Sequence, residues 1–298
     1  MSTPPFVDLP PHTVAVQLPT AGGPLAALRA TPPAGVARRG IAVLVPGYTG
    51  SKEDFVAVLE PLARAGYDVV ALDQRGQNES AGPDDPGAYT LVQLADDLAE
   101  VVDDLTGDGA GTDGGSTDQP VHILGHSFGG LVAREYALAH PARVRSLALL
   151  DSGPDAIPGR SAEQAKLLVA AAGFMTSAEI WAEMQKMAAA EGAPQHPDPA
   201  VRAFLQRRFE SNDTGMLVGM GTAILGAADR TEELAAAGLP ILVAAGVGDD
   251  AWPVGLQKET ATRLGTELVL IEDAAHSPAA ENPAVTARLL AGFWAQHD

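Results

Sequence analysis

Val121-His122-Ile123-Leu124-Gly125-His126-Ser127-Phe128-Gly129 sets a short apolar run directly ahead of a G-x-S-x-G pattern. The residues that follow, Gly130-Leu131-Val132-Ala133-Arg134-Glu135-Tyr136-Ala137-Leu138, read as a helix. A strand, a glycine-flanked serine and a helix in that order make a sharp turn that exposes the serine hydroxyl. Side chains at the flanking positions would collide with the neighbouring strand and helix, which is why both are glycine. The stretch thus proposes a strand-to-helix unit and a serine held ready for chemistry.

Outward from this turn, short β-branched runs alternate with longer helical patterns, the mark of a parallel sheet covered on both faces. Residues 13–18 and 24–31 read as an opening pair of strands, less buried by pattern. Ile41-Ala42-Val43-Leu44-Val45 is a continuous apolar run, as in a central parallel strand. Residues 51–65 predict a helix and 67–73 the next strand. Residues 90–105 predict a helix with its apolar stripe at Leu91, Leu94, Leu98, Val101 and Leu105. Residues 107–119, rich in Gly, Asp, Thr and Ser, read as a surface loop, and 144–150 as another buried strand.

The strand rhythm then stops, and residues 154–238 read almost entirely as helix. Thr176-Ser177-Ala178-Glu179 has the form of a capping box, with Ile180, Trp181, Met184, Met187 and Ala188 at helical spacing behind it. Asp198-Pro199 reads as an N-cap followed by proline at the first helical position. Strands resume at 240–246 and 267–271, and residues 283–296 read as a closing helix. The pattern predicts an α/β fold: a mostly parallel eight-stranded sheet flanked by helices, with a helical cap inserted after the sixth strand. Residues 1–153 and 239–298 would form the core, and 154–238 the cap.

Of 298 residues, 46% are hydrophobic, enough to bury a large core, and the net charge is −19. Such an acidic chain disfavours nucleic acid and anionic membrane surfaces as partners. With no cysteine, disulfides, thiolate catalysis and cysteine-based metal sites are excluded. Met1-Ser2-Thr3-Pro4-Pro5 lacks a basic segment leading into an apolar one, so a soluble, cytoplasmic protein is the expectation. The longest uncharged apolar stretch, residues 215–228, is broken by glycine and too short to span a bilayer. No H-E-x-x-H, P-loop or dinucleotide pattern is present, so neither metal nor cofactor is expected. Asp84-Asp85 and Asp96-Asp97 read as solvated faces.

A serine hydroxyl needs a base to take its proton and a third group to orient that base. Two later strand ends offer such groups: Gly246-Val247-Gly248-Asp249-Asp250-Ala251-Trp252-Pro253 and Asp273-Ala274-Ala275-His276-Ser277-Pro278. Ligands bind at the carboxyl ends of strands in open α/β sheets. Of the seven histidines, only His276 combines a strand-end loop with the chain order serine, acid, histidine.

With Pro46-Gly47-Tyr48 and Asp73-Gln74-Arg75-Gly76 added to these motifs, the whole chain resembles a cap-bearing serine hydrolase of the α/β-hydrolase superfamily. The resemblance implies Ser127 as nucleophile, His276 as general base and Asp249 as the acid, with Asp250 and Asp151 as alternatives. It implies an oxyanion hole from the backbone N–H groups of Phe128 and Tyr48. The family pattern there is His-Gly, and Pro46 replaces the histidine without removing the Tyr48 donor. Trp181, Met184, Met216, Met220 and Trp252 would touch substrate, and Phe174, Met187 and Phe204 suit the same apolar roof. The expected function is hydrolysis of an ester-like bond in a small, mostly hydrophobic substrate. C–C bond hydrolysis, thioesterase, lactonase or iminopeptidase activity, and ligand capture without turnover, stay open. Ser127 argues against epoxide hydrolases and dehalogenases, which place aspartate there.

Overall fold

The computed structural model describes residues 2–107 and 119–298. Eight strands form one sheet: β1 (Thr13–Leu18), β2 (Leu25–Ala30), β3 (Gly40–Val45), β4 (Tyr67–Leu72), β5 (Val121–His126), β6 (Val144–Leu150), β7 (Ile241–Gly246) and β8 (Leu268–Ile271). Their spatial order is β1-β2-β4-β3-β5-β6-β7-β8. β2 is antiparallel to β1 and β4, and the remaining pairs are parallel. The mostly parallel sheet expected from the sequence is the one that forms.

Helices α1 (Val56–Arg64), α2 (Leu91–Thr106) and α3 (Phe128–Ala139) lie among the first six strands. After β6 come α4 (Gly159–Ala172), α5 (Ser177–Ala190), α6 (Pro199–Glu210), α7 (Thr214–Leu225) and α8 (Thr231–Ala236). After β7 come α9 (Val254–Arg263), α10 (Pro278–Glu281) and α11 (Pro283–Trp294). Adjacent residues on a strand face opposite sides of the sheet, and the two cores divide accordingly. Val43, Val70 and Ile123 join Leu98 and Val101 of α2 and Leu131 of α3. Their neighbours Leu44, Val69 and Leu124 join Leu62 of α1 and Leu290 and Trp294 of α11.

Local signals explain most boundaries. Thr176 and Glu179 exchange the two hydrogen bonds of a capping box, at 3.2 and 2.8 Å. Asp198 accepts from the Ala200 N–H at 2.8 Å, ahead of Pro199. Two expectations are corrected. β2 is buried along nearly its whole length, because strands flank it on both sides and α1 packs on it; only β1, at the edge, is largely exposed. Asp97 is buried, not solvated, in a bidentate ion pair with Arg75.

Helix α3 begins at Phe128, directly after the serine, where glycines at 129 and 130 hide the helical pattern. The helix expected over 51–65 opens with a tighter turn, Lys52–Phe55, before α1. Of the loop at 107–119, residues 108–118 lie outside the described residues. The cap stripe on α5 is buried only at its start. Ile180 is buried and Trp181 packs on Phe209 at 5.7 Å, while Met184 and Met187 are exposed. Phe174 is exposed as well. Among the described residues no helix is long and apolar enough to cross a membrane.

His122 lies in the interior of β5, with Nδ1 2.8 Å from Ser146 Oγ and its ring stacked on Trp294. Burial, helped by Arg145, lowers its pKa from 6.5 to about 4. Below 6.5 the unfolded chain takes a proton that the folded chain refuses until about 4. His122 therefore removes up to about 3 kcal/mol of stability as pH falls through that window. Urea midpoints should drop across it, and a His122→Asn variant should show a shallower dependence. Equal slopes in the two proteins would rule this out.

Candidate active site

Ser127 joins β5 to α3 with φ 54° and ψ −123°. This backbone costs a non-glycine residue about 1–3 kcal/mol. The surroundings impose it: Ser127 N–H donates to the Leu150 carbonyl and Gly130 N–H to the Ser127 carbonyl, both at 2.9 Å. A Cβ on Gly125 would overlap the backbone of Gly129 and Gly130, and one on Gly129 the carbonyls of Val45 and Pro46. The glycines permit the close packing in which Ser127 holds this conformation.

His276, on the loop after β8, places Nε2 3.0 Å from Ser127 Oγ. Its Nδ1 is 2.8 Å from Asp249 Oδ1, on the loop after β7. A carboxylate can only accept here, so Nδ1 carries the proton and Nε2 is free to take one from the hydroxyl. Asp249 is buried and held by two further donors, Ala251 N–H at 2.9 Å and Gln257 Nε2 at 2.6 Å. Asp250 is exposed. Asp151 is buried behind Asp249 and makes no hydrogen bond to His276. Asp151, Asp249 and His276 offer ligand atoms within 4.8 Å of one another. A cation there would have to displace the proton between His276 and Asp249.

The loop Pro46-Gly47-Tyr48 runs against Ser127 from the end of β3. Gln74 Nε2 donates to the Pro46 carbonyl at 3.0 Å. Gln77 Nε2 donates to the carbonyls of Gly47 at 2.7 Å and Tyr48 at 3.0 Å. In a trans peptide the N–H points opposite the carbonyl of the preceding residue. With the Gly47 carbonyl turned to Gln77, the Tyr48 N–H points away from Gln77. Among the described residues no group accepts a hydrogen bond from it or from the Phe128 N–H.

Sequence reasoning missed these glutamines, although Gln74 stands in the quoted Asp73-Gln74-Arg75-Gly76 motif. It also passed over His126, whose Nε2 lies 2.6 Å from the His276 carbonyl. A carbonyl only accepts, so that nitrogen bears the proton. Burial, with the neighbouring His276, lowers the His126 pKa from 6.5 to about 4, which keeps the ring neutral and the donor in place.

The cap closes over this site. The Tyr48 hydroxyl donates to the Leu217 carbonyl of α7, and burial raises its pKa. Arg208 of α6, fully buried, pairs with Asp54 at 2.6 Å. Met216 and Met220 are buried, with Met216 against Gly76. Trp252 is buried against Gly153, its ring 6.4 Å from that of His276.

A serine, its base and a buried acid on three strand ends of one α/β sheet define a serine hydrolase. The chain belongs to the alpha/beta hydrolase family, whose model matches residues 42–289. It is 32% identical to RutD of Variovorax paradoxus, which bears the provisional name carbamate hydrolase, over 85% of this chain and 91% of RutD. A carboxylesterase structure from Nitrososphaera gargenis matches with a TM-score of 0.73 at 22% identity, covering 94% of this chain and 98% of that one. The enol-lactonase of Burkholderia xenovorans matches with a TM-score of 0.70 at 21% identity, covering 91% and 97%. Both structures share the fold.

Two substitutions test the local account. Ser127→Gly should abolish turnover yet raise the melting temperature, by relief of about 1 kcal/mol of backbone strain. A lowered melting temperature would remove the case for strain. Gln77→Ala should lower kcat by about tenfold or more through a misplaced Tyr48 N–H, with KM little changed. Steady-state kinetics showing a KM effect alone would reassign Gln77 to substrate binding.

Proposed function

We propose that the protein hydrolyses an ester-like bond of a small, mostly hydrophobic substrate through an acyl-enzyme. The observation that carries this reading is the unbroken chain Ser127 Oγ, His276, Asp249, at 3.0 and 2.8 Å. Ser127 Oγ attacks the carbonyl carbon as His276 Nε2 takes the hydroxyl proton, and Asp249 steadies the imidazolium. The N–H groups of Phe128 and Tyr48 receive the oxyanion, and the positive end of α3 favours charge there. His276 then returns the proton to the leaving group. In the second half a water gives its proton to His276, its oxygen bonds to the acyl carbon, and Ser127 leaves with that proton.

Residues 154–238 act in this proposal as a cap that selects substrate. Trp181, Met184, Met216, Met220 and Trp252 supply apolar contact, Met220 and Met216 from α7 and Trp252 beside His276. Methionine adapts to varied shapes, which suits a range of small acyl or leaving groups. A carbamate is the second reading, favoured by the similarity to RutD along nearly the full length of both chains. Action in the cytoplasm belongs to the same proposal, and cell fractionation checks it.

Wild-type protein should be labelled at Ser127 by a fluorophosphonate and should turn over short p-nitrophenyl esters many times. Ser127→Ala should lose both while keeping its circular dichroism spectrum. Full activity in that variant would overturn the assignment. Labelling with a single turnover would favour ligand capture. A panel of esters, lactones, thioesters, carbamates, amides and vinylogous diketones then ranks the bond types by kcat/KM.

A further inference from the structure

Behind the His276–Asp249 pair lies a carboxyl group that the catalytic steps do not use. Asp151 follows β6, is fully buried and holds a positive φ of 47°. Its Oδ1 accepts from the Gly246 N–H at 2.9 Å, and among the described residues no donor reaches Oδ2. One of its oxygens lies within 4.8 Å of both an Asp249 oxygen and a His276 ring nitrogen. Two carboxylates this close in a dry site do not both ionise. Asp249 has three donors to hold its charge, from Ala251, Gln257 and His276. Asp151 has one, so the proton belongs on Asp151.

Burial is the main force pushing the Asp151 carboxyl well above the usual carboxylate range, and the charge of Asp249 adds to it. The titratable groups that face it are Asp249 on the β7–α9 loop, His276 on the β8–α10 loop and Glu281 of α10. Neither carboxylate among them offsets the burial.

We propose that Asp151 is a positioning residue that keeps its proton in the working enzyme and donates it as a hydrogen bond to Asp249. This rests on the triad reading given above. The bond fixes the plane of the Asp249 carboxylate, so that Oδ1 stays turned to His276. It also satisfies the acid without placing a second negative charge beside the imidazole.

The test uses the full chain with Asp151→Asn, which keeps a neutral donor of the same shape, and Asp151→Ala, which removes it. Asp151→Ala should lower kcat about tenfold, the worth of one hydrogen bond to a charged group, with KM nearly constant. Asp151→Asn should recover most of that loss. The acid limb of its kcat/KM profile should coincide with wild type, since no charge has been removed. The infrared difference between wild type and Asp151→Asn at pH 7 should show the carbonyl stretch of a neutral carboxylic acid.

Ionised-carboxylate bands instead, or an acid limb moved about one unit lower in Asp151→Asn, would overturn the proposal. So would Asp151→Asn proving as slow as Asp151→Ala. If Asp151→Ala does not fold, the infrared band and the acid limb decide. The band reports on Asp151 whatever the substrate. Failure of the fluorophosphonate to label wild-type Ser127 would instead strike the triad reading.

Discussion

The contact on which the active site depends is the packing of Gly129 on the carbonyls of Val45 and Pro46, too close to admit a Cβ. Any side chain at 129 would force α3 away from the end of β3. With glycine there, the first turn of α3 sits beside the loop at 46–48, and Ser127 is pressed between them. The strained backbone of Ser127, the position of Gly47 against its side chain, and the meeting of β3, β5 and α3 all descend from that contact. The strain persists because the surrounding sheet over-determines it.

A second layer of polar side chains holds the loops around this point. Gln74 and Gln77 fix the carbonyls of the 46–48 loop. Asp73, ahead of them, is buried and takes two hydrogen bonds from Lys52, from its backbone N–H and its Nζ, both at 2.7 Å. A buried ion pair is tolerable only when its lone pairs and protons are satisfied; Asn78 at 3.1 Å and the Glu79 N–H at 3.3 Å also donate to Asp73, and Glu53 and Glu79 also pair with Lys52 Nζ. On the other side, His126 ties the His276 backbone and Gln257 ties Asp249. The catalytic groups are therefore aimed by neighbours as fully as by their own strands. Through the Tyr48 hydroxyl the same scaffold reaches the cap, so that α7 and the 46–48 loop are mechanically joined.

Much of this was legible in the sequence, for identifiable reasons. The strands at 41–45, 67–73 and 121–124 are short apolar runs because both faces are covered, and the elbow carries its glycines for steric reasons. The order of Ser127, Asp249 and His276 follows from strand ends, which local patterns mark well. What stayed hidden depends on partners distant in the chain. Gln77 has no local signature, and its meaning comes from Gly47 and Tyr48. His126 carries no local signal in the elbow because the carbonyl it holds belongs to His276. Asp97 looked solvated beside Asp96 because Arg75 is not its sequence neighbour. The α5 stripe predicted burial from spacing alone, but only its start is buried. Helical spacing cannot tell which turns have a neighbour.

The same long-range geometry bears on how the protein acquires its activity. Ser127 meets His276 across 149 residues, and His126 meets the His276 carbonyl across 150. Contacts so remote in sequence carry a large loop-closure entropy cost. Between the two sides lie β6, the whole insertion, β7 and β8. No partial fold that lacks the β7 and β8 edge can bring a base to the serine. Reactivity at Ser127 therefore marks a completed sheet.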